Sequence, residues 1–318
     1  MTTARAHTNI ALIKYWGKRD ADLILPYTSS VSLTLADFYT DTRVEFDARL
    51  ATDQFQLDGQ AQSAAKLTRF LDLVRGQAGI TTRARVTSTN HVPTAAGLAS
   101  SASAYAALAL AASHAAGLTL DDRALSRLAR RGSGSAARSV FGGLAVWHRG
   151  TDDASSYAEP LPATTLPLRM VVVMVNAGPK PIGSRDLMAN TVATSPYYPA
   201  WVTHNEAAAT AMIQALAADD MPTIGHLTEQ SAMQMHAAIM AADPAFTYFE
   251  PETLAVWQTV HRLRASGVPV YATMDAGPNV KLLTLAPHVA TVCAALSPQF
   301  DQRVLVSAPG PAARVLED

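Results

Sequence analysis

Two α+β domains are predicted for this chain, and three observations predict them. Apolar runs of strand and helix period mix in both halves without the strict βα alternation of a doubly wound sheet. The 318 residues make two domains the expected number. Pro160, Pro162 and Pro167 punctuate an aperiodic stretch at residues 152–167, which reads as a linker. The expected division is therefore 1–160 and 168–318.

The elements follow in order. Residues 9–15 read as a strand that runs into Lys14-Tyr15-Trp16-Gly17-Lys18. Val31, Leu33 and Leu35 alternate with Ser32 and Thr34, the period of a half-buried strand at 30–35. Further strands are expected at 42–46, 54–57 and 83–89, with Asp58-Gly59 turning the chain toward a helix at 63–76. An alanine-rich helix after residue 101 stops at Gly117, and a second at 121–131 stops at Gly132, both suitable residues for leaving a helix. The second half opens on the continuous apolar strand 170–175. Helices are expected at 200–218, 223–242, 252–266 and 288–296, two strands around the turn Asp275-Ala276-Gly277-Pro278, and a last strand at 303–306.

Composition narrows the function. Apolar residues make up 49% and charged residues 16%, which excludes a disordered chain. A net charge of −1 argues against a nucleic-acid partner. The single cysteine, Cys293, excludes an internal disulfide and a cysteine-built zinc site, and the nine histidines show no metal spacing, so no protein-held metal site is expected. The N-terminal residues have no apolar signal core and the run 171–175 is too short to span a bilayer, so a cytoplasmic protein without a membrane partner is expected.

Two segments have the chemistry of anion cradles. Thr94, Ala95, Ala96, Gly97, Leu98, Ala99, Ser100 and Ser101 lead into the alanine-rich helix. Small side chains let a phosphate approach unpaired backbone N–H groups at the positive end of a helix, and the serines add hydroxyl donors. An ordinary helix cap needs only one such residue; a cradle needs several without bulk. The second segment is Gly132-Ser133-Gly134-Ser135-Ala136-Ala137-Arg138. Its glycines fit a dinucleotide fingerprint, but a helix precedes it where that fold needs a strand. Two hydroxyls with an arginine one helical turn beyond suit a second anion, whereas a flexible helix–helix turn would explain the glycines alone. Two anion sites in one half-chain point to a nucleotide and a phosphorylated substrate. Lys18 gains weight as a cation for them, although a solvated charge cluster beside a core tryptophan is the plainer reading of that segment. Asp275, at a strand end before a tight turn, suits a general base aimed into a cleft between domains, although a self-bonded turn aspartate is the plainer reading of that segment alone.

Together the runs Asn9–Ala11, Lys14–Asp20, Pro93–Ser101, Gly132–Ser139 and Met274–Asn279 resemble the diphosphomevalonate decarboxylases of the GHMP kinase superfamily, in order and at fitting distances over residues 9–285. The resemblance implies a ribosomal-protein-like N-terminal domain and a ferredoxin-like C-terminal domain with ligands between them. It implies ATP and Mg²⁺, and ATP-dependent conversion of 5-diphosphomevalonate to isopentenyl diphosphate. On it, Tyr15, Trp16, Gly17 and Lys18 fall on the substrate motif, and Ser133, Gly134, Ser135, Ala136, Ala137 and Arg138 on the substrate loop. Residues 94–101 fall on the ATP phosphate loop and Asp275 on the catalytic aspartate, with Lys18 and Arg138 beside it. Ser184 and Arg185 fall on a diphosphate-binding segment, and Lys66 offers a further substrate cation. Ala137 stands where relatives often have cysteine, and Thr28 where they commonly have asparagine. A homodimer is implied in the same way. Decarboxylation of 5-phosphomevalonate, a 3-kinase that stops after phosphoryl transfer, and a ligand sensor that has lost catalysis stay open as alternatives. His236, Met233, Met235 and Met240 are expected to pack rather than to bind.

Overall fold

The computed structural model describes residues 1–91, 100–176, 178 and 182–317. The chain opens on β1 (Thr2–Ile13), continuously buried from Ala6 onward, as a strand covered on both faces should be. The short pair β2 (Lys18–Asp20) and β3 (Leu25–Pro26) stands apart, and β4 (Ser30–Phe46) runs for 17 residues. The two strands expected at 30–35 and 42–46 are thus one. Its pairing with β1 jumps from His7↔Tyr39 to Asn9↔Thr34, so an irregularity absorbs the residues whose alternation lapses.

Asp58 and Gly59, both at positive φ, join β5 (Gln54–Leu57) to β6 (Gln60–Gln62) as a hairpin, so the turn precedes a strand and α1 (Ala65–Ala78) starts later than expected. β7 (Ala84–His91), α2 (Ser100–Ala115) and α3 (Asp122–Gly132) follow. The Asp121 carboxylate caps α3 by accepting from the Ala124 N–H at 2.7 Å. A 3₁₀ turn at Gly134–Val140 leads to β8 (Leu144–Trp147) and β9 (Ala158–Pro160). The second of these lies inside the expected linker, where three residues pair with β8. The sheet runs β14-β1-β4-β7-β5-β6, where β14 is the late strand Arg314–Leu316, with β8 and β9 continuing from β4.

The second half contains β10 (Leu168–Val173), α4 (Ser184–Thr194), α5 (Tyr198–Ala217), α6 (Met221–Met240), α7 (Pro251–Ala265), β11 (Val270–Met274), β12 (Val280–Leu285), α8 (Val289–Phe300), β13 (Val304–Ser307) and β14 (Arg314–Leu316). Its antiparallel sheet runs β11-β12-β10-β13. The chain ends by crossing back, because β14 pairs with β1. α4 escaped the sequence reading because only Leu187 and Thr191 are buried along it, too few to show a period.

Three apolar clusters hold the two layers. One fills the N-terminal half beneath α1, α2 and α3. A second fills the C-terminal half and takes in Trp16 from the N-terminal half. The third joins the halves: Ile10, Leu12 and Leu33 pack with Met170, Met212 and Tyr271. The halves are therefore joined by a shared apolar core.

Candidate active site

The KYWGK segment leaves β1 at the junction of the halves. Trp16 is 2% exposed and sits in the C-terminal core, and its carbonyl accepts a hydrogen bond from Tyr198 Oη at 2.8 Å. Gly17 has φ +90°, and a Cβ there would lie 2.0 Å from that hydroxyl oxygen. Only glycine fits, and it turns the chain so that Tyr15 and Lys18 face the crevice.

A cavity of about 400 Å³ opens beside them. Its lining includes Tyr15, Trp16 and Lys18, Ser100 and Ser101 at the start of α2, Ser133, Gly134, Ser135 and Arg138, Ser184 and Arg185 at the start of α4, and Asp275 after β11. The two serine segments meet, with Ser133 Oγ 3.3 Å from Ser101 Oγ and 3.4 Å from Ser135 Oγ. Residues 94–99 of the expected ATP loop lie outside the described residues, while Ser100 and Ser101 lie where a ligand could meet both segments.

The glycines of the second segment serve close packing. A Cβ on Gly132 would lie 2.0 Å from the Tyr105 ring, and one on Gly134 within 3 Å of Trp147 and Tyr15. Neither has a positive φ, which disfavours the flexible-turn reading. Ala136 and Ala137 are fully buried in the N-terminal core, so they seat the turn and do not line this cavity. Arg138 is 2% exposed. Its Nε and Nη2 donate to Asn9 Oδ1 at 3.3 and 3.2 Å, and Nη1 donates to Ser30 Oγ. Of the five guanidinium N–H bonds, those on Nη1 and Nη2 that remain can still face a ligand as a pair. Burial lowers its pKa to about 10, which leaves it charged at neutral pH.

Asp275 is clamped by lysines from both halves. Lys14 Nζ donates to its Oδ1 at 2.7 Å, and Lys281 Nζ lies 3.5 Å from its Oδ2. Both lysines are 1% exposed, and burial pulls both below the usual lysine range despite the carboxylate. Burial also lowers Lys18, helped by the nearby Arg185 charge. The Tyr15 hydroxyl is buried without a partner among the described residues, and burial raises its pKa, so it stays a neutral donor at the cavity wall. A carboxylate held between ammonium groups can draw a proton toward a fixed point, and the cations and hydroxyls it faces can receive two polyanions.

Residues 6–158 match the family of the diphosphomevalonate decarboxylase-like N-terminal domain, and residues 170–308 that of the mevalonate 5-diphosphate decarboxylase C-terminal domain. The chain belongs to the diphosphomevalonate decarboxylase family. It is 36% identical to the diphosphomevalonate decarboxylase of Rattus norvegicus over 94% of this chain and 80% of that one. It is 33% identical to the phosphomevalonate decarboxylase of Haloferax volcanii over 90% and 89%. A solved structure of MDDEF in complex with MVAPP, AMPPCP and magnesium superposes with a TM-score of 0.96 at 46% identity, covering all of this chain and 99% of that one. The two-domain α+β fold of GHMP kinase type expected from the sequence is the fold observed.

Several placements differ from a simple transfer of the family motifs. Lys66 lines a neighbouring cleft of about 590 Å³ with Arg69 and Arg131, which shares Lys18, Tyr105 and Arg185 with the first. Thr28 is 1% exposed, and its hydroxyl accepts from Asn205 Nδ2 at 3.0 Å, a structural contact in place of a nucleotide contact. Met235 and His236 are buried as expected, with Met235 at the cavity wall, whereas Met233 and Met240 are exposed. Sequence reasoning missed Lys14, Lys281 and Asn9 as site residues. The signal was present for the lysines: each is a lone charge in an apolar strand-like run, where a charge needs a partner. Among the described residues no three His, Cys, Asp or Glu side chains converge on a metal position. A magnesium ion would therefore be held chiefly by nucleotide phosphates, with Asp275 the one carboxylate among the described residues of the cavity lining, and would neutralise phosphate charge there.

Proposed function

We propose that this chain catalyses the ATP-dependent decarboxylation of (R)-5-diphosphomevalonate to isopentenyl diphosphate, with ADP, phosphate and CO₂ as the other products. One observation carries the reading: Asp275, the two serine segments and Lys18, Arg138 and Arg185 line a single cavity. Residues 1–160 supply Lys18 and the two serine segments, and residues 168–318 supply the acid together with Ser184 and Arg185. Lys18, Ser133, Ser135, Ser184 and Arg185 hold the diphosphate, helped by the Tyr15 hydroxyl. Arg138 holds the substrate carboxylate with its two remaining N–H bonds. Ser100 and Ser101, at the positive end of α2, receive ATP phosphates.

The carbon-3 hydroxyl loses its proton toward Asp275 as its oxygen bonds the γ-phosphorus and the bond to ADP breaks. The C3–O bond then breaks and phosphate leaves. The electron pair of the bond to the carboxylate becomes the new double bond, and CO₂ departs. Asp275 passes its proton to the departing phosphate and, again a carboxylate, stabilises by charge the carbon that becomes electron-poor.

The enzyme works as a cytoplasmic homodimer in this reading, which its single cysteine and the family resemblance support. Incubation with ATP and 5-diphosphomevalonate should release ADP, phosphate and CO₂ in equal amounts. Faster CO₂ release from 5-phosphomevalonate would transfer the assignment to the monophosphate. ADP without CO₂ would make the protein a 3-kinase, and no ADP with any mevalonate ester would make it a sensor.

A further inference from the structure

Lys14 is the first residue beyond β1, so its peptide groups have left the strand ladder. Two side chains from the other half take them over. The Lys14 N–H donates to Ser231 Oγ on α6 at 2.9 Å, and its carbonyl accepts from Asn205 Nδ2 on α5 at 2.9 Å. Ser231 Oγ donates in turn to Asn205 Oδ1 at 2.9 Å, which closes a ring around the backbone N–H and carbonyl of one residue. Asn205 is fully buried and Ser231 is 1% exposed. Water does not compete for these groups, and each would be costly to leave unpaired.

The same helix also fixes the strand that carries the acid. Two residues before Ser231, Glu229 accepts from the Ala272 N–H of β11 at 2.9 Å, three residues ahead of Asp275. One turn of α6 thus sets the spacing between the Lys14 peptide, from the N-terminal half, and the strand ending at Asp275, from the C-terminal half. The lysine ammonium reaches Asp275 from this pinned backbone and is itself steadied by the Ala11 carbonyl at 2.9 Å.

We propose that Asn205 and Ser231 are positioning residues that hold the Lys14 ammonium on the Asp275 carboxylate for the reaction. They touch no reactant, and the proposal rests on the decarboxylation reading above. The geometry needed for proton and phosphoryl transfer tolerates little displacement, so releasing the peptide should lower turnover more than binding.

The test is a mutant cycle on the full-length protein. Ser231→Ala and Asn205→Ala should each lower kcat by about tenfold to 100-fold, while KM for ATP and for the diphosphate stays within about threefold. In a Lys14→Met background, which keeps the peptide but removes the ammonium, the same substitutions should cost less than about threefold. Ser231→Thr, which restores the hydroxyl, should recover most of the turnover. Circular dichroism and ATP binding confirm folding, and Ser231→Ala, which removes a single oxygen, carries the test if Asn205→Ala fails to fold. Wild-type kcat in folded Ser231→Ala, or an equal loss in both backgrounds, would overturn the proposal. Lack of CO₂ release from the unsubstituted protein would count against the reaction, whereas normal release from it and from the ring variants would count against the ring.

Discussion

Asp275 meets ammonium groups at both of its oxygens, and this clamp sets what the residue can do. Its neighbours also explain the state of His236, a buried imidazole on α6. Burial and the nearby Lys14 charge lower its pKa to about 4, and the opposing pull of Asp275 does not offset them; Lys281 pushes the same way as Lys14. The folded protein therefore keeps His236 neutral, while the unfolded chain takes up a proton below its ordinary value of 6.5. The stabilisation is complete above pH 6.5 and is lost as pH falls toward about 4, by on the order of 3 kcal/mol. Denaturant unfolding across this window should show the wild type losing that much more stability than His236→Gln; parallel losses would contradict the assignment. At this scale the sequence was partly legible. The serines stood out by type and spacing and Lys18 gained weight beside them. Asp275 was marked only by the family resemblance, and its partners lie far away in the chain or inside a strand. Lys14 and Asp275 are 261 positions apart, and no local pattern encodes that pairing.

Among the elements, the junction of α3 with its 3₁₀ turn is closely packed. Gly132 lies against the ring of Tyr105, which lines both the cavity and the adjoining cleft. Gly132→Ala should cost about 1–3 kcal/mol by overpacking and should also raise KM, because the displaced ring moves into substrate space. Thermal unfolding and substrate titration check this; an unshifted Tm with native KM would show that the ring yields freely. Helices with a strong apolar stripe or a clear cap, such as α3 behind Asp121, were readable in advance. The bend in β4, the hairpin at Asp58-Gly59 and α4 were not. A bulge breaks the alternation that reveals a strand, and a helix burying two residues has no period to detect.

For the whole molecule, the shared core decides behaviour. Ile10, Leu12 and Leu33 from one half and Met170, Met212 and Tyr271 from the other are buried together, and β14 ties the chain end back to β1. Two family domains so joined should unfold together. Calorimetry should give one cooperative transition, and two separated transitions would refute a common core. The two-layer α+β plan was legible from apolar periodicity; the crossing of the last strand was not, because Arg314–Leu316 is too short to carry a pattern. The same joined frame brings Asp275 to the serine segments, and turnover by Asp275→Ala tests that convergence most directly. CO₂ release from 5-diphosphomevalonate and ATP should fall by at least about 100-fold while ATP still binds with wild-type affinity. Near-normal release by the folded variant would contradict that convergence.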